Sequence, residues 1–267
     1  MGQPATEPRF VENSPGPVTL NRMRTIDLNA DVGEGGSRDA VLIALASSAN
    51  IACGGHAGDE STMRQAIAAA LAHGVAIGEH PGYEDRENFG RLALDLPLAE
   101  VADLVSRQVE RLAKLAAAAG AGVHHVKPHG ALYNQADQNP ALAAAVAERV
   151  NRVSPGCRFY VPPGGALAEA GRSAGLPIRL EGFADRRYLP NGNLVPRGEP
   201  GAVIETPAEA VSQALEIASR QRVRTIAGTL IPLPADTLCI HGDGPHAVDL
   251  LKAVRSALEA AGFQILA

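Results

Sequence analysis

The 267-residue sequence contains no tryptophan, and aromatic residues make up only 3% of it. A platform that stacks nucleic-acid bases or sugar rings needs aromatic side chains, so the composition argues against one. The formal net charge of -5 gives no electrostatic reason to expect a nucleic-acid partner. Only three cysteines are present and none forms a CxxC pair, which argues against a disulfide scaffold or a structural zinc site and fits a reducing compartment.

Long apolar runs are also missing. No stretch approaches the roughly 20 apolar residues that a membrane span needs. The first 24 residues lack the apolar segment of a signal peptide and are interrupted by Pro, Gly and Asn, so they predict a flexible N-terminal leader. The rest of the composition, 46% hydrophobic and 20% charged, is that of an ordinary globular protein. We therefore expect a cytoplasmic protein with no membrane partner.

From residue 25 onward, short apolar runs alternate with segments of helical periodicity. The predicted strands are Thr25–Ala30, Ala49–Cys53, Val75–Gly78, His124–Lys127, Arg158–Val161, Ile178–Phe183 and Thr237–Ile240. The predicted helices are a segment that Asp59 caps and Gly74 ends, and Pro97–Gly120, Pro140–Val153, Ala166–Gly175, Pro207–Arg220 and Pro245–Ala261. This alternation predicts one α/β domain over residues 25–267, a distorted barrel of about seven mostly parallel strands with helices outside. A doubly wound open sheet is the alternative.

Polar side chains collect where the predicted strands end. Ligands of barrels and open parallel sheets bind beyond the carboxyl ends of the strands, so these side chains should converge on one pocket. The residues at six strand ends are Asn29 and Asp31, then His56, Glu79 and His80, Lys127 and His129, Glu181, Asp185 and Arg186, and finally His241 and Asp243.

The segment IACGGHAGDE, residues 51–60, surrounds His56 with glycines. Flanking glycines give little local side-chain cover, so we expect His56 at a strand mouth, where backbone and imidazole approach a ligand closely. Replacing His56 with Ala should then remove activity but change folding stability little. Replacing Gly55 with Val should also damage activity, because the β-branched side chain would crowd the approach of the backbone to a ligand and penalise a positive φ.

Six motifs in order along the chain resemble those of the LamB/YcsF family: IDLNADVGEG, SSANIACGGHAGD, GVAIGEHPGYEDRENFGR, HVKPHGALYNQ, EGFADRRYLPNGNLVPRGEPGAVI and CIHGDGPHA. The resemblance covers nearly everything after the predicted leader. It implies a seven-stranded α/β barrel resembling those of polysaccharide deacetylases and glycoside hydrolases. That family includes the A subunit of prokaryotic ATP-dependent 5-oxoprolinase, so the resemblance also implies opening of the 5-oxoproline ring to L-glutamate, with ATP and two partner subunits, B and C.

The residues suit that chemistry. A five-membered lactam is a resonance-stabilised amide, so water needs an activated carbonyl as well as a general base, and phosphorylation by ATP can supply the activation. The chain lacks the G-x-x-x-x-G-K-[ST] pattern of a phosphate-binding P-loop. We therefore expect the partner subunits to carry out or complete the phosphorylation, and this chain to supply positioning, proton transfer and oxyanion stabilisation.

Roles follow from chemical type. Asp31 and His56 are the candidates for orienting or deprotonating the attacking water. His80 or His129 would protonate the ring nitrogen, and Lys127 would offer a point charge to an acyl phosphate or an oxyanion. The predicted substrate-binding residues are Asn29, Arg186, Arg197, His241 and Asp243, of which the two arginines suit the substrate carboxylate. His241 and Asp243 have an alternative role as caps of the last helix.

Two other functions stay open at this point. In a metal-dependent amide or lactam hydrolase, Asp31, His56 and a third imidazole would hold a divalent ion that activates water. In a non-catalytic module, the same pocket would bind a small carboxylated ligand or regulate partners. We interpret Cys53 and Cys239 as small hydrophobic residues, and Tyr133 either as a pocket residue or as a core residue with a satisfied hydroxyl.

Overall fold

The computed structural model describes Gly2 and residues 24–267. The predicted leader thus lies outside the described residues except for Gly2 and Arg24, and Arg24 already belongs to the first strand. The strands are β1 (Arg24–Val32), β2 (Ser48–Ala52), β3 (Ala76–His80), β4 (His125–Val126), β5 (Arg158–Val161), β6 (Ile178–Phe183), β7 (Arg222–Arg224), β8 (Leu230–Pro232), β9 (Thr237–Ile240) and β10 (Phe263–Ile265). The helices are α1 (Asp39–Leu45), α2 (Glu60–His73), α3 (Leu98–Ala118), α4 (Gly130–Gln138), α5 (Pro140–Val153), α6 (Ala166–Ser173), α7 (Pro207–Arg220) and α8 (Ala247–Ala260).

Seven of the strands close into a parallel barrel. Their order is β1-β2-β3-β4-β5-β6-β9, and the pairing of β9 with β1 completes the ring. The start of β1 also pairs with β10, outside the ring. This closure confirms the predicted seven-stranded α/β barrel and rules out the open doubly wound sheet. No helix within residues 24–267 is both long enough and apolar enough to cross a membrane.

All seven predicted strands are strands of the barrel, and five of the six predicted helices begin within a residue of their predicted start. Side-chain caps explain part of this accuracy, since α2, α5 and α7 each begin with one. The Asp59 carboxylate accepts a hydrogen bond from the backbone of Thr62 at the start of α2, and Gly74 ends that helix at φ 65°. The elements that prediction missed are the hairpin of β7 and β8, the strand β10, and the helices α1 and α4. They are short, and neither α1 nor α4 has a side-chain cap at its N-terminus.

The two faces of the barrel sheet differ in chemistry. Along β1, Leu28 and Ala30 belong to the hydrophobic core between sheet and helices. The alternating residues Asp27, Asn29 and Asp31 are buried and hydrogen-bonded to side chains of other barrel strands. The apolar core therefore lies outside the ring, while the ring itself encloses a polar network.

One side chain of this network, His125, explains why β3 contains a glycine at position 78. A β-carbon on Gly78 would collide with the imidazole of His125, which occupies that space inside the ring. The His125 Nε2 lies 2.7 Å from Asn50 Oδ1, and its ring stacks on Tyr160 with centroids 4.0 Å apart. Gly78 thus makes room for a buried polar side chain.

The end of β3 shows that neighbours in sequence face opposite sides. Glu79 and His80 were both expected in the pocket, but Glu79 points into the layer between the sheet and the helices. Its Oε2 accepts a hydrogen bond from Ser154 at 3.1 Å, whereas Oε1 has no hydrogen-bond partner among the described residues. Burial raises the pKa of Glu79 to about 8. The expectation for Glu79 was wrong because side chains alternate along a strand.

The raised pKa of Glu79 predicts a pH-dependent stability. Between the usual pKa of 4.5 and a pH of about 8, the folded chain keeps a proton on Glu79 that the unfolded chain has released. The contribution of Glu79 to the free energy of unfolding is therefore complete below pH 4.5 and is lost as the pH rises through 8. The slope for one group is at most about 1.4 kcal/mol per pH unit. The glutamine of Glu79→Gln cannot ionise. The free energy of unfolding of this variant, relative to that of the unmodified chain, should therefore increase from pH 5 to pH 8. Urea denaturation at several pH values measures this, with the exposed Glu148→Gln as control. Parallel pH profiles for Glu79→Gln and the unmodified chain would contradict the prediction.

Candidate active site

A cavity of about 910 Å³ lies at the carboxyl ends of the barrel strands. Of the predicted site residues, those that line it are Asp31, His80, Lys127, His129, Arg186, Arg197 and His241. His56 lies behind His129 and does not line the cavity, and Asn29 and Asp243 are also set back from it. The strand ends therefore do converge on one cavity, which Glu181 also lines, whereas the strand-end residues that do not line it are Asn29, His56, Glu79, Asp185 and Asp243.

A buried ammonium group forms the floor of the cavity. The Nζ of Lys127 lies 2.8 Å from Asp31 Oδ1, 2.9 Å from Glu181 Oε1 and 3.0 Å from Cys239 Sγ. Burial by itself would lower the pKa of Lys127, but the charge of Asp31 holds it well above its usual value. Burial raises the pKa of Cys239, so the sulfur is a thiol beside a cation. Cys239 is a member of the site and not merely a packing residue.

Amide and phenol groups hold the two carboxylates in place. Asn50 donates to Asp31 Oδ1 at 2.7 Å, and Asn29 donates to Glu181 Oε1 at 3.1 Å. Tyr133 donates its hydroxyl to Glu181 Oε2 at 2.8 Å and also lines the cavity. Asn29 was predicted to bind substrate, but its amide is used inside the ring, one strand position below Asp31. Its contacts are those of a residue that positions Glu181.

Three histidines pack beside this floor. His80 ends β3, His129 precedes α4, and His56 lies in the loop between β2 and α2. The rings of His56 and His129 stack with centroids 3.7 Å apart, and the ring of His80 meets both at nearly right angles, at 5.5 and 4.8 Å. Burial lowers the pKa of both His56 and His129 well below the usual value, so these two rings are neutral at pH 7.

His56 is enclosed by other loops of the protein, although glycines flank it in the sequence. His56 is only 1% exposed, so the expected lack of side-chain cover was wrong. Glycines of other loops allow its ring to be enclosed: a β-carbon on Gly82 would lie 2.8 Å from His56 Nδ1, and one on Gly90 would lie 2.7 Å from its β-carbon. A stacked, fully buried ring contributes to stability, so the small stability effect expected for His56→Ala is not supported.

Gly55 lies against a side chain of α3, and the predicted reason for its being glycine was wrong. The positive φ values occur at Gly54 and Gly58, at 89° and 73°, and not at Gly55. A β-carbon on Gly55 would lie 2.5 Å from the side-chain amide of Gln108. Gln108 in turn binds the backbone of Gly82 at 2.7 and 3.1 Å. A valine at Gly55 would therefore disturb the loop that covers His56, instead of blocking a ligand.

Glu34 is the acidic residue that sequence reasoning missed. It follows β1, and its Oε1 lies 3.5 Å from His56 Nε2 and 4.0 Å from His129 Nδ1. Burial and the nearby charge of Asp31 raise the pKa of Glu34 well above its usual value. Asp31 behaves oppositely: burial would raise its pKa, but the Lys127 ammonium lowers it well below the usual range. The sequence feature that could have indicated Glu34 is its position three residues after Asp31 in the motif IDLNADVGEG.

The far wall of the cavity is cationic. Arg186 is buried, donates to the Val195 carbonyl at 2.6 Å, and has an Nε with no partner among the described residues. Arg197 and Arg91 instead both pair with Asp243, at 2.9 and 2.5 Å. Arg91 was missed by prediction, although it stands in the quoted FGR motif.

The last strand end contributes a second imidazole–carboxylate pair. His241 Nδ1 lies 2.9 Å from Asp185 Oδ2, and the His241 ring stacks on Phe183. The alternative that His241 or Asp243 caps the last helix was wrong, because α8 follows His246 and has no side-chain cap.

Comparison with known proteins shows which family the chain belongs to. The model of the LamB/YcsF family matches residues 26–267. The chain belongs to the LamB/YcsF family. It is 49% identical over 249 residues to the A subunit of 5-oxoprolinase from Methylococcus capsulatus, covering 91% of this chain and 96% of that protein.

One solved structure has closely the same fold. The lactam utilization protein of Thermus thermophilus is 42% identical, with a TM-score of 0.85, over 91% of this chain and 99% of that one. A family 4 carbohydrate esterase from Streptomyces lividans aligns at 12% identity and a TM-score of 0.48, over 91% of each chain. The family resemblance predicted from the six motifs is thereby confirmed.

The floor of the site predicts a specific stability defect. Lys127→Met leaves two buried carboxylates without their cation and should cost about 3–5 kcal/mol of unfolding free energy. Adding Glu181→Gln removes one uncompensated charge, so the double variant should be more stable than Lys127→Met alone. Urea denaturation at pH 7 measures both, and the exposed Lys114→Met should change stability by less than about 0.5 kcal/mol. A double variant less stable than Lys127→Met would contradict the charge argument.

Proposed function

We propose that this chain is the A subunit of an ATP-dependent 5-oxoprolinase, which opens the ring of 5-oxo-L-proline to L-glutamate together with partner subunits B and C. The observation that carries the proposal is the 49% identity, over nearly the full length of both chains, to a protein named as the A subunit of 5-oxoprolinase. The similar structure named a lactam utilization protein points to the same class of cyclic amide. The stand-alone metal-dependent hydrolase is not favoured, because the similar protein is named as one subunit of a larger enzyme.

The size and charge of the cavity suit this role. At about 910 Å³ it is much larger than a single five-membered lactam. We infer that the remaining space accepts the activating phosphate or a segment of a partner protein. Because the sequence has no P-loop lysine motif, we assign ATP binding and carbonyl phosphorylation to the assembly and not to this chain alone.

Lys127 acts by charge in this proposal. Its three N–H bonds are directed at Asp31, Glu181 and Cys239, so little donor capacity is left for a substrate oxygen. Its positive charge keeps Asp31 ionised in a buried place. It also adds a favourable potential for an oxyanion or an acyl phosphate in the cavity.

Asp31 and the histidines would then handle the protons. Asp31 is an ionised carboxylate at the cavity wall and is our candidate for orienting or deprotonating water, while His56 is too deeply set to touch it. His80 lines the cavity and is the candidate for protonating the ring nitrogen, whereas His129, which also lines it, is neutral and has its one N–H bound to the Phe89 carbonyl. Arg186, whose Nε–H has no partner within residues 24–267, is the candidate for holding the substrate carboxylate.

Dependence on partners is the first test. The isolated chain should release negligible glutamate from 5-oxoproline and ATP, and addition of the candidate B and C subunits should give robust turnover. In the reconstituted enzyme, Asp31→Asn should lower turnover at least about a hundredfold, as expected for loss of an acid–base group. The exposed Asp103→Asn serves as control. Full turnover by the purified chain alone would overturn the division of labour among the proteins of the assembly.

The arginines give a second test. In the reconstituted enzyme, Arg186→Met should raise KM for 5-oxoproline about tenfold or more with a smaller change in kcat, since it removes carboxylate binding that is equal in ground and transition states. Arg197→Met is the matched variant at the same cavity, and its KM should change less, because Arg197 is already paired with Asp243. Equal effects of the two substitutions on KM would argue against Arg186 as the carboxylate anchor.

A further inference from the structure

The three histidines and Glu34 form a compact set of potential ligand atoms. One such atom from each of Glu34, His56, His80 and His129 lies within 4.8 Å of all the others. The measured separations include 3.0 Å from His129 Nδ1 to His80 Nε2 and 3.5 Å from His56 Nε2 to Glu34 Oε1. All four residues are largely shielded from solvent, and three are inside the protein.

The hydrogen bonds of His80 and His129 fix which ring nitrogens carry protons. His80 Nδ1 lies 2.7 Å from the Lys127 carbonyl, and His129 Nε2 lies 2.9 Å from the Phe89 carbonyl. A carbonyl oxygen only accepts, so each of these nitrogens must be the N–H of its ring. When each ring carries only that proton, the remaining nitrogens, His80 Nε2 and His129 Nδ1, are both lone-pair acceptors.

Those two acceptors face each other at 3.0 Å. Two lone pairs at this distance repel unless a positive charge lies between or beside them. Backbone carbonyls that fix the tautomer and aim the free nitrogen of each ring inward are the usual outer partners of metal-binding histidines. The arrangement is thus preorganised for a cation.

His56 adds an independent observation. Neither of its ring nitrogens has a hydrogen-bond partner among the described residues, although the residue is 1% exposed. Buried polar atoms are almost always hydrogen-bonded, and leaving one unpaired is costly. The Nε2 of His56 points toward the Glu34 carboxylate at 3.5 Å. A metal ion between them would satisfy this nitrogen and the carboxylate together.

We propose that Glu34, His56, His80 and His129 bind one divalent transition-metal ion, with zinc as the best match. Three imidazoles and one carboxylate are ligands that zinc favours in a tetrahedral arrangement. Zinc–ligand bonds of about 2.0–2.2 Å place tetrahedral ligand atoms roughly 3.3–3.6 Å apart. The 3.0 and 3.5 Å separations are close to this, and the 4.0 Å separation of His129 Nδ1 from Glu34 Oε1 needs a small side-chain shift.

The site would lie in the wall of the cavity, because His80 and His129 line it. The proposal that this ion assists ring opening rests on the proposed function, whereas the proposal that the ion binds rests on the geometry alone. If bound there, the ion would supply a Lewis acid beside Asp31, whose Oδ2 is 3.5 Å from His80 Nε2.

Metal binding can be measured without any enzyme assay. The untagged full chain is treated with a chelator, dialysed, and titrated with Co²⁺ as a spectroscopic probe, followed by competition with Zn²⁺. We expect one equivalent of Co²⁺ per chain, a visible absorption typical of four-coordinate cobalt, and displacement by one equivalent of Zn²⁺. Zinc should also raise the melting temperature of the chain.

Variants locate the site. His56→Ala and the isosteric Glu34→Gln should each weaken binding at least about tenfold, as loss of even an outer partner often does. They should also remove most of the melting-temperature rise. The exposed His73→Ala should bind as the unmodified chain does. Circular dichroism of each variant checks folding, and Glu34→Gln keeps the test valid if His56→Ala does not fold.

Specific outcomes would overturn the proposal. One is no stoichiometric binding by the unmodified chain, as expected if His80 and His129 share a proton instead. Another is binding that both ligand variants leave unchanged. Stoichiometric metal in a chain that reconstitutes no 5-oxoprolinase would count against the proposed function only, and full activity in a metal-free assembly would count against a catalytic role of the ion only.

Discussion

The ammonium of Lys127, held between Asp31 and Glu181, is the interaction on which the site depends. A single buried cation 2.8 and 2.9 Å from two carboxylates joins three strand ends that are far apart in sequence. Removing Lys127 would leave the two buried carboxylates without their cation. The strands β1, β4 and β6 are therefore fixed relative to one another by electrostatics at the mouth of the barrel, in addition to their backbone hydrogen bonds.

The barrel separates stability from chemistry by side-chain alternation. Residues facing outward along the strands, such as Leu28 and Ile51, pack in the hydrophobic core against the helices. Residues facing inward form a hydrogen-bonded network, in which Asp27 accepts from Ser48 and Thr237. Such a network is stable only when its polar groups have hydrogen-bond partners, and here the side chains deeper in the ring hold in place those nearer its mouth. The polar interior is thus the base on which the residues at the mouth are aligned.

Much of this architecture could be predicted from the sequence because its signals are local. Caps such as Asp59 and stops such as Gly74 mark helix ends, and short apolar runs mark buried strands. The convergence of Asp31, His80 and Lys127 followed from one topological rule for parallel sheets. These predictions needed no knowledge of which side chains touch.

The remaining features depend on contacts between distant segments, and sequence patterns do not encode them. Glu79 and His80 are neighbours in sequence, yet only the pleat of the folded strand sends one outward and the other to the site. His56 is enclosed by glycines at positions 82 and 90, not by its own neighbours. Glu34 lies in a loop without periodicity, so its approach to the histidines became visible only in three dimensions.

Asp31 links the ammonium of Lys127 to the histidine cluster. Its Oδ1 binds the ammonium of Lys127, and its Oδ2 lies 3.5 Å from the Nε2 of His80. The ring of His80 is in turn aligned by the backbone carbonyl of Lys127 at 2.7 Å. A change of charge at the histidines therefore alters the potential at Asp31, and through Asp31 the attraction that stabilises the buried ammonium. The floor of the cavity and the histidine cluster are thus one electrostatic unit, in which neither part keeps its charge state independently of the other.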